Sequence, residues 1–103
     1  MANCYRRDGT PCDISELEFV IGSRRVASTN LPNGLRVSTV FLGINHQYEP
    51  GGPPLIFETM VFPEEARLRE LDMKRYSTEE QAVEGHVAMC NKWIQQPEEE
   101  RHG

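Results

Sequence analysis

At 103 residues the chain is the size of one domain, with room for one sheet and one or two helices. With 38% hydrophobic and 26% charged residues it has the balance of a globular chain, not a disordered one. A net charge of −5 argues against general coating of DNA or RNA, which needs a basic surface. No apolar run approaches a membrane span and the N-terminus lacks a signal-peptide core, so a soluble, cytoplasmic protein is expected.

Asp8-Gly9-Thr10-Pro11 is turn chemistry, with room for a short strand before it. Asp13 and Glu16 have the capping-box spacing, and Ile14, Leu17 and Ile21 share a helical face. A short helix over Ile14–Ile21, ended by Gly22, is predicted; a strand over Leu17–Ile21 is the competing reading. Arg24–Leu31 and Leu35–Ile44 read as a hairpin closed at Pro32-Asn33-Gly34, where Asn and Gly accept positive φ cheaply. Asn45–Pro54 is a Gly/Pro-rich loop of a length that often carries function. Leu55–Phe62 returns antiparallel until Pro63, and Pro63–Glu70 is a charged connector. Leu71–Tyr76 reads as an edge strand, since Lys74 and Arg75 suit an edge. Ser77 and Glu80 form a second capping box. A helix follows from Thr78 to about Gln95, with Ala82, Val83, His86, Met89, Cys90 and Trp93 as its apolar stripe. Residues 1–96 then form one α+β domain, and 97–103 an acidic tail. The expected fold is an antiparallel sheet of about four to five strands, with the C-terminal helix on one face and a short N-terminal helix.

The two central strands are apolar on both sides. Val37, Thr39, Phe41 and Gly43 alternate with Ser38, Val40, Leu42 and Ile44; Leu55, Phe57, Thr59 and Val61 alternate with Ile56, Glu58, Met60 and Phe62. One helix covers one face. The second face is therefore expected to be buried by another copy of the chain, as a dimer or larger, or by a partner; the simpler alternative is cover by the N-terminal segment.

Among residues that could carry chemistry, Glu58 lies between Ile56 and Met60. It is either an ion-pair partner of Arg24, Arg25 or Arg36 or simply exposed at a sheet margin, or a general base or metal ligand. His46, His86 and Glu58 would make a two-histidine, one-carboxylate metal set if they met, although their spacing matches no metal motif. A histidine on a helix stripe is more often a satisfied core residue. No nucleophile elbow surrounds a serine, and Gly51-Gly52 lacks the lysine and helix of a phosphate loop. Cys4, Cys12 and Cys90 are odd in number with no paired spacing and read as reduced thiols. Arg24, Arg25 and Arg36, with Asn45, His46, Tyr48, Glu58 and Tyr76, are the candidate site for a small anionic ligand; surface glutamates are the competing partners of these arginines. No cofactor is implied.

The segments Arg25-Val26-Ala27, Leu31-Pro32-Asn33-Gly34, Val37–Gly43, His46, Pro54–Phe62 and Arg75-Tyr76-Ser77-Thr78 resemble a family of small uncharacterised proteins of bacteriophages, prophages and gut bacterial contigs. The resemblance spans about residues 5–93. One departure is Asn45, where the family pattern has Asp before the histidine. The resemblance implies a non-enzymatic phage accessory protein that counters host defence by binding a host protein or sequestering a signalling nucleotide. A small metal-dependent hydrolase built on Glu58, His46 and His86, and a virion structural or assembly protein, are the alternatives.

Overall fold

The structure, a computed structural model, describes residues 4–16, 24–45, 51–66 and 69–95. Its elements are β1 (Cys4–Tyr5), β2 (Pro11–Cys12), a 3-10 turn (Ile14–Glu16), β3 (Arg25–Asn30), β4 (Leu35–Phe41), β5 (Phe57–Pro63), β6 (Asp72–Tyr76) and α1 (Glu79–Ile94). β3-β4-β5-β6 form one antiparallel sheet in chain order, β1-β2 a two-stranded ribbon, and an isolated bridge from Cys4 to Ile44 joins the ribbon to the chain just past β4. This is the expected α+β arrangement, with α1 on one face of the sheet.

The alternation read in the central strands is the alternation observed. Leu35, Val37, Thr39 and Phe41 on β4, and Phe57, Thr59 and Val61 on β5, are buried; the residues between them are half-exposed. α1 lays Ala82, His86 and Met89 on that buried face, one stripe at i, i+4 and i+7. Cys90 and Trp93 are partly buried beside them. Val83, expected in the stripe, is 48% exposed, because it falls one residue off the face. The core divides in two. Leu31, Leu35, Val37, Val61 and Met89 form one apolar cluster; Phe41, Ile56, Phe57, Tyr76 and Ala82 form the other. Ile56 precedes β5 and turns into the helix-side core, not toward the second face as alternation suggested.

Both hairpin turns are built alike. Arg6 and Leu31 each accept from the glycine three residues on and donate to the residue four on, and Gly9 and Gly34 sit at φ +92° and +84°. That is a type I turn closed by a left-handed glycine, the three-residue hairpin loop. Asn33 therefore does not take the positive φ expected of it; its amide donates instead to the Trp93 carbonyl at 2.8 Å, satisfying the helix C-terminus.

The helix N-terminus lies one residue later than the sequence suggested. Thr78, not Ser77, is the N-cap, and Gln81, not Glu80, closes the box: Thr78 Oγ1 accepts from the Gln81 N–H, while Gln81 Oε1 accepts from the Thr78 N–H. At the N-terminus of the chain, the described part of the predicted Ile14–Ile21 helix is a single 3-10 turn, and Ile14 is 70% exposed. Glu16 gives its carboxylate to Arg6 at 2.8 Å and leaves no capping box to start a helix. Residues 17–21, Gly22 and the acidic tail lie outside the described residues.

Gly85 explains a close approach. A Cβ there would lie 2.2 Å from the Tyr76 ring, so the absent side chain is what lets β6 and α1 meet. The Tyr76 hydroxyl is buried without a hydrogen-bond partner. Alanine favours helix over glycine by about 1 kcal/mol, but overpacking a core costs about 1–3 kcal/mol. Gly85→Ala is expected to lower unfolding free energy in urea, and a stabilised variant would contradict the packing described. Tyr76→Phe, which removes an unsatisfied buried hydroxyl, is expected to be neutral or stabilising by the same measurement.

Candidate functional site

Two groups of polar side chains stand out, one on each side of the sheet. On the helix side, β3, β4, β5 and β6 place Ala27, Thr39, Thr59 and Lys74 in one transverse row. His86 comes down on it from α1. Its Nδ1 lies 2.7 Å from Thr39 Oγ1 and its Nε2 2.9 Å from Thr29 Oγ1; Thr39 Oγ1 lies 2.6 Å from Thr59 Oγ1. Hydroxyls donate and accept, so either neutral tautomer satisfies both ring nitrogens. Burial lowers the His86 pKa below its ordinary value. The group is a closed hydrogen-bonded cluster that holds the helix to the sheet, the satisfied core histidine of the sequence reading.

On the other side, the second face carries three cross-strand rows: Asn30-Arg36-Phe62, Ser28-Ser38-Met60-Met73 and Arg25-Val40-Glu58-Arg75. Val40, Met60 and Phe62 on its two central strands, and Met73 on β6, are half-buried. Methionine suits such a surface, since its thioether chain adapts to what it meets. Among the described residues, no other helix or strand packs broadly on this face; α1 lies across the opposite one. Arg36 Nε donates to Ser28 Oγ at 3.2 Å, and Arg75 Nε to Glu58 Oε2 at 2.9 Å.

The candidate residues from the sequence separate onto these two sides. Glu58 is an ion-pair residue, as one of the two readings had it, but its partner is Arg75 on the neighbouring strand and not Arg24, Arg25 or Arg36. Register decides this, because Arg75 stands directly opposite Glu58. Arg25 and Arg36 lie on the open face, while Arg24 at its margin donates to the Phe41 carbonyl at 3.3 Å. Tyr76 is on the other side, in the core. Of the proposed ligand set, Tyr76 is therefore separated from Arg25 and Arg36 by the sheet. Asn45 closes the base of the Gly/Pro loop, its Oδ1 accepting from the Leu55 N–H at 2.9 Å. His46 and Tyr48 lie outside the described residues. Glu58 and His86 are on opposite faces, so the proposed metal set does not form from them. Among the described residues, no three metal-ligating side chains cluster.

Sequence reasoning missed the threonine row. Thr39 and Thr59 were visible as hydroxyls at inward positions, and pairing them across the hairpin with the stripe histidine would have found it. It also missed Asp72, which accepts from Lys92 Nζ at 2.8 Å and Trp93 Nε1 at 2.9 Å. Burial acts to raise the Asp72 pKa, but these bonds and the Met73 N–H outweigh it and hold the carboxyl below its ordinary value.

Comparison with known proteins adds no relative: no family model, no curated protein and no solved structure matches the chain. No helix among the described residues is long and apolar enough to cross a membrane.

The lowered His86 pKa has a sign. The folded state binds fewer protons at this site than the unfolded state, so its contribution is fully present above about pH 6.5 and is lost as pH falls below that. Urea unfolding midpoints are expected to drop between pH 7 and pH 5, and His86→Gln, which does not titrate, is expected to flatten that drop. An equal drop in the variant would place the pH sensitivity elsewhere.

Proposed function

We propose that this is a small non-enzymatic binding protein that works through the open face of its sheet, and that the first occupant of that face is a second copy of the chain. The observation that carries the reading is the set of half-buried apolar side chains Val40, Met60, Phe62 and Met73 on the sheet face opposite the helix. Around them stand Arg36 and the Glu58–Arg75 pair, so the face bears apolar side chains and both signs of charge. A patch of that make-up is self-complementary under two-fold rotation, which an isologous dimer requires. Within the resemblance to phage and prophage proteins, the assembled protein is a counter-defence factor that binds a host protein or a small anionic ligand. Arg25 and Arg36, both on the same face, are the side chains that would meet an anion there.

Solution mass tests this directly. Light scattering of the purified chain is expected to give a dimer or larger, and Met60→Lys, which puts an ammonium at the centre of the face, is expected to give a monomer or a poorly soluble chain. Met60→Leu is expected to leave the assembly intact. A wild-type chain that is a clean monomer, with a soluble monomeric Met60→Lys variant of unchanged stability, overturns the reading.

A further inference from the structure

The N-terminal ribbon brings two cysteines together. Cys4 and Cys12 are register partners across β1-β2, both buried, at 4% and 8% exposure, and both free thiols. They lie four residues either side of Asp8, and the turn makes that symmetry a pairing. The ribbon closes with the Arg6 N–H donating to the Thr10 carbonyl at 2.7 Å. Counting outward from that hydrogen-bonded pair, Tyr5 and Pro11 form a non-hydrogen-bonded pair and Cys4 and Cys12 again a hydrogen-bonded one. At such a site the Cα atoms are about 5.5 Å apart, inside the range that a disulfide spans. Cys90 is not a competitor, since it lies on α1 against the Leu35 cluster.

We propose that Cys4 and Cys12 are a redox-active pair that forms a reversible intramolecular disulfide stapling the N-terminal ribbon. The ribbon is worth stapling for what it holds. Its turn carries Arg7, whose guanidinium pairs with Glu79 at 2.6 Å in the first turn of α1. Its first strand meets the chain just past β4, with the Tyr5 N–H donating to the Gly43 carbonyl at 2.9 Å and Tyr5 packed on the Phe41 cluster. Two-residue strands hold this arrangement weakly by themselves. A covalent link across them ties the chain's N-terminus to the helix start and to the chain just past β4.

The oxidant is a small disulfide of the glutathione class. One cysteine, as thiolate, attacks a sulfur of oxidised glutathione and expels one glutathione thiolate, which takes up a proton. The second cysteine attacks the resulting mixed disulfide and expels the other. Two protein thiols are oxidised to one disulfide, and one glutathione disulfide is reduced to two thiols. Burial, with Cys4 facing it, pushes the Cys12 thiol above its ordinary pKa, so exchange is slow at neutral pH and faster in mild alkali.

The test uses the full chain held in excess oxidised glutathione, then denatured and alkylated. One alkylatable thiol, Cys90, is expected in place of three, so the alkylated mass carries two fewer alkyl groups than that of the reduced chain, and before alkylation the mass is lower by two hydrogens. Trypsin cuts after Arg6 and Arg7, so a Cys4 peptide and an Asp8–Arg24 peptide joined only through sulfur are expected. Excess reduced glutathione is expected to restore all three thiols. Cys4→Ser and Cys12→Ser are each expected to form no intramolecular link under the same oxidant. Three free thiols after oxidation, a link that involves Cys90 or a second chain, or glutathione left on either cysteine would overturn the proposal.

Discussion

The contact of His86 with the threonine row is the constraint on which the rest of the structure depends. The apolar clusters on either side supply most of the burial, but apolar contacts are forgiving: cores tolerate hydrophobic exchange when volume is kept. A polar row buried between them is not forgiving. Each satisfied hydrogen bond adds only about 1 kcal/mol net, whereas each buried group left without a partner costs about 1–3 kcal/mol. Sliding α1 by one turn along the sheet would carry His86 away from Thr29 and Thr39. That would strand a ring and the hydroxyls it serves. The apolar clusters hold the helix down; the polar row decides where.

Once the helix is placed, its other contacts fall into line. Gly85 arrives over the Tyr76 ring, where a side chain has no room. Lys92 and Trp93 reach the one Asp72 carboxylate from the last turn. Glu79 at the first turn meets Arg7 from the ribbon, and the Trp93 carbonyl at the last turn is met by Asn33 from the hairpin loop. The helix is thus held at its start, middle and end by three different parts of the chain. Two of these anchors come from the turns that share one backbone design, so turn geometry near the N-terminus and in the β3-β4 hairpin acts on helix position at a distance in sequence.

What could be read from the sequence was what local periodicity controls. The alternation of β4 and β5, the turn at Asn33-Gly34, the helix stripe through Ala82, His86 and Met89, and the core role of His86 all follow from patterns a few residues long. What escaped was set by register or by competition between partners. Glu58 had several arginines in reach on paper, and only strand pairing singles out Arg75. Two overlapping capping boxes, Ser77 with Glu80 and Thr78 with Gln81, are equally good in sequence; the second is used. The spacing of Cys4 and Cys12 looked unpaired until the turn at Asp8-Gly9 folded one onto the other. The grouping of Tyr76 with Arg25 and Arg36 failed because the two sides of a strand cannot be told apart for a residue whose strand neighbours are unknown.

The two faces differ in a way that bears on binding. On the helix-side face the buried histidine has both ring nitrogens engaged, and apolar clusters close around it. On the open face Arg36 bonds Ser28 and Arg75 pairs with Glu58, while Arg36 and Ser38 stand directly across from Phe62 and Met60. The edges of the sheet offer less to a partner. β6 presents Lys74, and β3 presents Arg25 and is bulged between Arg25 and Ala27, both features that discourage strand addition. A partner would gain more from covering the middle of the face than from extending the sheet. It would bury Met60 beside the Glu58–Arg75 ion pair and Phe62 beside Arg36, which is bonded to the neutral Ser28 hydroxyl and so keeps its charge for an acidic group on the partner.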